Sequence, residues 1–138
     1  MKKIIIDTNF IISFVTDRNL DQQSKTAELF ESASKLQISI ICHINVITEF
    51  IYVIDKIYQV DKKEISNIIS KLLLMAGIEL VCDVNIKKVL SYWPKHISDY
   101  GDAQLASLCS KTKNSSIATF DKKFLKELER LSLPIYPY

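Results

Sequence analysis

Three consecutive isoleucines, Ile4 to Ile6, run straight into Asp7, and that junction constrains the fold more than any other stretch of the chain. β-branched residues at successive positions point to both sides of a strand, so the run predicts a strand buried on both faces, as in the centre of a parallel sheet. The apolar stretch from Phe10 to Val15 then opens a helix, for which Asp7 or Thr8 is the cap. Open parallel sheets keep their ligand sites at the carboxyl ends of their strands. Asp7 stands at such an end.

The strand-then-helix order repeats along the chain. Asp21 is the expected cap of a helix running to about Leu36, with Leu29, Phe30, Ala33 and Leu36 on one face. A second strand, Ile38–Cys42, precedes a helix from Asn45 to about Tyr58, with Val46, Phe50, Val53 and Ile57 as its buried stripe. Glu49 lies three residues after Val46 and four before Val53, so it shares the apolar side. Asp61 caps a helix from Lys62 to Ala76 that Gly77 ends, and a third strand is Ile78–Cys82. Asp83 caps a short helix through Tyr92, which Pro94 closes. Ser98 or Asp99 caps the next helix; there Asp102, Leu105, Ala106 and Cys109 fall at i, i+3, i+4 and i+7, so Asp102 heads the buried face. The fourth strand, Ser116–Phe120, ends at Asp121 ahead of a helix from Lys122 to Leu131, and Pro134–Pro137 offers a short edge strand. The alternation predicts an α/β fold, a three-layer α/β/α sandwich around a central parallel sheet of four to five strands, with residues 1–138 as a single domain.

Composition excludes several functions. The chain has only two glycines, Gly77 and Gly101, too few for a dinucleotide-binding fingerprint, a Walker loop or a G-x-S-x-G elbow. No apolar run approaches the roughly 18 residues that cross a membrane, and the basic start has no signal-peptide core behind it, so the expected location is the cytoplasm. Cys42, Cys82 and Cys109 each sit in an apolar run without C-x-x-C spacing and are expected to be buried thiols. His43 and His96 are too isolated to suggest a metal pair.

Four acids remain that a solvated surface does not explain: Asp7 and Asp121 at strand ends, Glu49 one turn into a helix, and Asp102 at the head of another. In a right-handed parallel sheet all four project toward one edge. Converging carboxylates repel and raise one another's pKa values. A divalent cation relieves this, and ligands that are all oxygen select Mg²⁺ or Mn²⁺. Such an ion activates water beside a phosphate, which points to phosphodiester hydrolysis. With these four set aside, 18 basic residues face 12 remaining acids, a surplus of +6 that suits a polyanion. Lys111, Lys113, Lys122 and Lys123 lie near the proposed edge in sequence.

Asp7-Thr8-Asn9 after a strand, Thr48-Glu49 in a helix, Asp102-Ala103-Gln104-Leu105-Ala106 opening a helix, and Thr119-Phe120-Asp121-Lys122-Lys123-Phe124 after a strand occur in that order. Together they resemble the PIN-domain ribonucleases across nearly the whole chain, and in size the VapC-type toxins of bacterial toxin–antitoxin pairs. The resemblance implies that Asp7, Glu49, Asp102 and Asp121 are the catalytic and metal-binding acids, with Mg²⁺ or Mn²⁺ as cofactor. It implies that Asn9 and Thr119 orient the ligands or the phosphate, that RNA is the substrate, and that the partners are a small antitoxin protein and a second copy in a homodimer. Asp99 adds to the acidic edge or merely caps its helix, and the cap is the better reading. Ile12, Ile47, Ile51 and Ile54 give two helices apolar residues on more than one face, which favours a covering partner; the alternative is that they meet the Asp61–Ala76 helix of the same chain. The alternatives are a processing nuclease that is not a toxin and a catalytically silent PIN-like binding module. A receiver-type phosphoacceptor wants paired acids after its first strand, and a haloacid-dehalogenase-like phosphatase wants an Asp where Asn9 stands. Neither pattern is present.

Overall fold

The computed structural model describes residues 1–137. Four strands, β1 (Lys2–Ile6), β2 (Ile38–His43), β3 (Ile78–Val81) and β4 (Ser115–Ala118), form one sheet in the order β3-β2-β1-β4. Every pairing is parallel, with Ile5 opposite Ile41 on one side and Ile117 on the other. A single parallel bridge, Ile117 to Ile135, extends the β4 edge, so the fifth strand expected at Pro134–Pro137 is reduced to one pairing. Among the described residues seven helices flank the sheet: α1 (Thr8–Val15), α2 (Leu20–Ser34), α3 (Ile44–Lys56), α4 (Lys62–Leu74), α5 (Ile86–Tyr92), α6 (Tyr100–Lys111) and α7 (Lys122–Arg130). The result is a three-layer α/β/α sandwich.

Parallel neighbours must be joined by crossovers, and these carry the helices onto the faces of the sheet. The chain steps from β1 to β2 to β3 in one direction, then returns past β1 to lay down β4 on its far side. The direction reverses between β1 and β4, and a crevice opens outside the carboxyl ends of these two strands. The sheet core is nearly all isoleucine: Ile4, Ile5, Ile6, Ile40 and Ile117 are fully buried. Phe10, Phe14 and Phe30 seal α1 and α2 together, with the Phe14 and Phe30 ring centroids 4.2 Å apart. No helix among the described residues is long and apolar enough to cross a membrane.

Several local expectations shift. The cap of α2 is Asn19, whose side chain accepts from the Gln22 N–H, rather than Asp21; the cap of α5 is Asn85 rather than Asp83. Asp61 precedes α4 without a capping hydrogen bond from its side chain. The buried stripe of α3 is Val46, Ile47, Phe50 and Ile54; Val53 is half-buried and Ile57 is exposed, because the helix ends at Lys56. Ile12, Ile47 and Ile54 therefore belong to the interior, and of the four isoleucines expected to face a partner only Ile51 stands in solvent. Cys42 and Cys109 are buried, but Cys82 is exposed, since it follows the thin edge strand β3. His43 is structural: Nδ1 accepts from the Asn45 N–H, capping α3, and Nε2 faces the Asp83 carbonyl at 3.0 Å. Gly77 ends the α4 segment with φ +80°, and a side chain there would run into the Ala33 carbonyl.

Candidate active site

The crevice at the sheet's reversal is a pocket lined by Asp7, Glu49, Asp99, Asp102 and Asp121, with Asn9 and Asn45 on its wall. All four acids singled out in the sequence reach it, and Asp99 joins them. Each is aimed by a different element. Asp7 is the first residue past β1 and caps α1, its Oδ1 accepting from the Phe10 N–H at 2.9 Å. Its Oδ2 accepts from the Thr119 hydroxyl, which in turn accepts from the Asp121 N–H at 3.1 Å. One threonine therefore links the ends of β1 and β4. Asp121 caps α7, its Oδ1 accepting from Lys123 and Phe124 N–H groups at 2.9 and 3.1 Å. Asp99 caps α6 through the Asp102 N–H at 2.9 Å, so of the two caps open from sequence the structure takes Asp99 over Ser98. Helix N-termini favour negative charge, and three of them converge here.

Glu49 is held from both oxygens. Oε2 accepts from the Thr8 hydroxyl at 2.7 Å, and Oε1 accepts from the Asn45 side-chain amide at 3.2 Å. Gly101 packs directly over this carboxylate; a Cβ there would strike Glu49 Oε1 and crowd Asn45 and Asp99. From the sequence Thr8 was only an alternative cap to Asp7, which the structure takes instead, and Asn45 and Gly101 had no role at the site. The signals were available: Thr8 is the middle of the D-T-N triplet, Asn45 lies at i−4 from Glu49, and Gly101 precedes Asp102 in a chain with two glycines.

Burial grades across the pocket. Asp7 is 4% exposed, Glu49 and Asp102 are half-buried, and Asp99 and Asp121 are open to solvent. Loss of hydration pushes the Asp7 carboxyl up to about 6, with Asp121 and Glu49 adding repulsion and the bonds from Thr119 and Phe10 opposing it. Asp102 is pushed up to about 8, first by burial and then by the charges of Asp99, Asp7, Asp121 and Glu49. No lysine or arginine among the described residues forms an ion pair with any of the five. Such a cluster lacks a counter-charge, and its oxygen-only lining suits a hard divalent ion. Among the described residues no three acid, histidine or cysteine side chains close into a preformed metal cage. The carboxylates line a pocket instead, a fit for an ion that keeps part of its water shell, as Mg²⁺ does.

The lysines divide. Lys123 borders a shallow depression beside Asp99, Asp102 and Asp121. Lys111 sits at the far end of α6, in a cleft with His43 and Asp83, and Lys113 lies in the turn before β4, at the opposite edge of the sheet. These two lie away from the acids, contrary to what sequence proximity suggested.

A comparison with curated proteins gives no match. Among solved structures, the chain is similar to VapBC2 from Rickettsia felis, in a crystal structure bound to a DNA fragment from their promoter. The TM-score is 0.61 over 99% of this chain and 98% of that chain, at 16% sequence identity. At that identity the likeness speaks for the fold. The model of the PIN domain family matches residues 4–130, from β1 to the end of α7. With its topology and its acidic crevice inside that span, the chain belongs to the PIN domain family.

Proposed function

We propose that residues 1–138 form one nuclease domain that hydrolyses RNA phosphodiester bonds with a divalent cation, Mg²⁺ or Mn²⁺, and that it acts in the cytoplasm as the toxin of a toxin–antitoxin pair. The observation that carries this reading is the uncompensated carboxylate cluster at the reversal point of the sheet, with Asp7 and Asp102 held well above the ordinary carboxylate range. Asp7, Glu49, Asp102 and Asp121 would hold the ion, which would supply Lewis acidity toward water and the phosphate. Thr119 fixes the orientation of Asp7, Thr8 and Asn45 fix Glu49, and Asn9 faces the phosphate from the pocket rim. Burial and the neighbouring charges favour the protonated form of Asp102 while the cluster lacks a cation, so loading the site would favour proton release.

The toxin assignment draws support from the flank made by α3, α4 and β3. A groove of about 340 Å³ there is lined by Ile51, Ile65 and Ile69 with Asp55 and Lys62 at its rim. Tyr52 of α3, Leu73 and Leu74 of α4 and Leu80 of β3 are exposed as well. An apolar surface of this kind fits an antitoxin segment or the second chain of a homodimer. The decisive assay is digestion of RNA with Mg²⁺ or Mn²⁺, repeated in chelator. Cleavage that continues unchanged in chelator would remove the metal mechanism; a small protein that co-purifies and stops cleavage separates toxin from processing nuclease.

A further inference from the structure

The chain has only two arginines, Arg18 and Arg130. Arg18 is exposed, yet its guanidinium is tied at several points. Nε and Nη2 donate to Ser13 Oγ at 3.3 and 2.9 Å, Nη2 also reaches the Asn9 carbonyl at 3.2 Å, and Nη1 reaches Asn9 Oδ1 at 3.4 Å. Ser13 is fully buried and donates its own proton to Gln22 Oε1 at 2.8 Å, so the group that holds Arg18 is itself held from α2. All the acceptors are neutral. No described carboxylate forms an ion pair with the guanidinium. A long surface side chain ordinarily keeps its rotamer freedom; this one is fixed, with its charge uncompensated.

Its position gives the fixing a purpose. Arg18 lines a groove of about 370 Å³ that shares Thr8, Asn9 and Glu49 with the acidic pocket. The groove's other wall is the end of α3, where Ile57 and Tyr58 are 69% and 37% exposed. One wall is cationic: Ser13 and Asn9 hold four of the guanidinium's N–H groups, and the remaining Nη1 N–H, with the charge, is left for a phosphate. The other is apolar and aromatic, which suits the face of a base. Acids alone would repel a polyanion, and this groove is the adjoining surface that would draw it in.

We propose that the groove between α1 and the end of α3 is a single-stranded RNA subsite next to the cleavage pocket, in which Arg18 grips the backbone phosphate of a flanking nucleotide and Tyr58 stacks on its base. The proposal rests on the nuclease reading above. The test uses Asp7→Asn as a non-cutting parent and measures its binding to a labelled single-stranded oligoribonucleotide over a range of salt. Arg18→Gln in that parent should weaken binding about tenfold and shallow the log–log salt slope by about 0.7, the value of one lost phosphate contact on a single strand. Arg18→Lys should keep the slope while losing affinity, because the charge remains and the several ties to Ser13 and Asn9 that hold it in place do not. Tyr58→Ala should lose affinity with no change of slope, since stacking carries no charge. With Asp7 intact, Arg18→Gln should raise KM and leave kcat nearly unmoved. A wild type that cuts RNA while Arg18→Gln and Tyr58→Ala leave KM, affinity and slope unaltered overturns the subsite and spares the nuclease. If those variants lose only a protein partner, the groove is a docking site for an acidic segment, and the proposal is likewise wrong. If the wild type does not cut and the parent does not bind, the nuclease reading fails and takes the subsite with it.

Discussion

The carboxyl end of β1 and β4 and the flank of α3, α4 and β3 break the usual rule of burial in opposite directions. At the first, charge is placed under cover: Asp7 is 4% exposed and its partner Thr119 only 1%. At the second, apolar side chains stand in water, with Tyr52 at 64%, Leu74 at 85% and Leu80 at 41%. The penalties differ in kind. A buried carboxylate raises the free energy of the charged form wherever the chain is, and it persists only where hydrogen bonds and a cation answer it. Exposed apolar residues cost little one at a time, but a contiguous set is covered when a partner is at hand. The first region suits a cation and the second an apolar partner surface.

The sharpest way to break this contrast is Asp7→Asn. The amide keeps an acceptor for the Phe10 N–H and removes one charge from the cluster. Cleavage should fall on the order of a thousandfold, the scale for a lost active-site electrostatic group. The metal-free protein should melt no lower than wild type. A large fall in melting temperature would mean that the carboxylate at position 7 serves the fold alone.

Next in size is a pair on α3. Ile54, 1% exposed, and Ile51, 41% exposed, are one turn apart. Ile54→Ala should cost about 2–5 kcal/mol, and Ile51→Ala about 0.5 kcal/mol or less in the dilute chain. Denaturant unfolding at low and high protein concentration checks both. If Ile51→Ala costs more as concentration rises, a second copy covers the flank; if light scattering shows a strict monomer at micromolar concentration, the homodimer is excluded.

A smaller effect follows from pH. Asp7 and Asp102 titrate near 6 and 8 in the fold, against about 3.9 in an unfolded chain. Between these values the folded state binds more protons than the unfolded one, so stability is greatest below the unfolded pKa and falls as pH rises through the folded ones. In chelator, the melting temperature should therefore decline from about pH 5 to pH 8, and Mg²⁺ should raise it more at the alkaline end. Asp7→Asn should flatten part of that decline. A level profile would show that neither burial nor the neighbouring charges raise these carboxyls.

The mildest test is Thr8→Val, which removes the hydroxyl bonded to Glu49 Oε2. With Asn45 still in place, cleavage should drop roughly tenfold, the lower range for a group that orients a metal ligand. Melting should move by about 1 kcal/mol or less. Steady-state kinetics beside a thermal melt separates the two.

Much of this was legible before any coordinates, and the reasons differ by residue. Ile4–Ile6 ending at Asp7 is a local pattern, and so is Asp102 heading an apolar face, so both survive intact. Caps moved by two residues, from Asp21 to Asn19 and from Asp83 to Asn85, because several polar residues in a short loop can serve and only the chain's path selects one. Val53 and Ile57 continued the apolar period of α3, but the helix stops at Lys56 and the period loses its meaning there. Cys82 looked buried because the sequence does not say that β3 is an edge. Lys111 and Lys113 were placed by sequence distance, and the length of α6 carries them away from its acidic start. Arg18 gave no signal, since its meaning comes from Ser13, Gln22 and Asn9 meeting in space.

Asp7, Asp99 and Asp121 each close the first turn of a helix as well as facing the pocket. This double duty has a consequence for how the chain can drift under mutation. Most replacements at these positions delete a cap and a carboxylate together, so the altered protein both loses its site and frays where the helix begins. Asparagine is the exception, since it keeps the cap and drops the charge. Inactive descendants that remain well folded should therefore carry Asn, not Ala or Val, at these three positions.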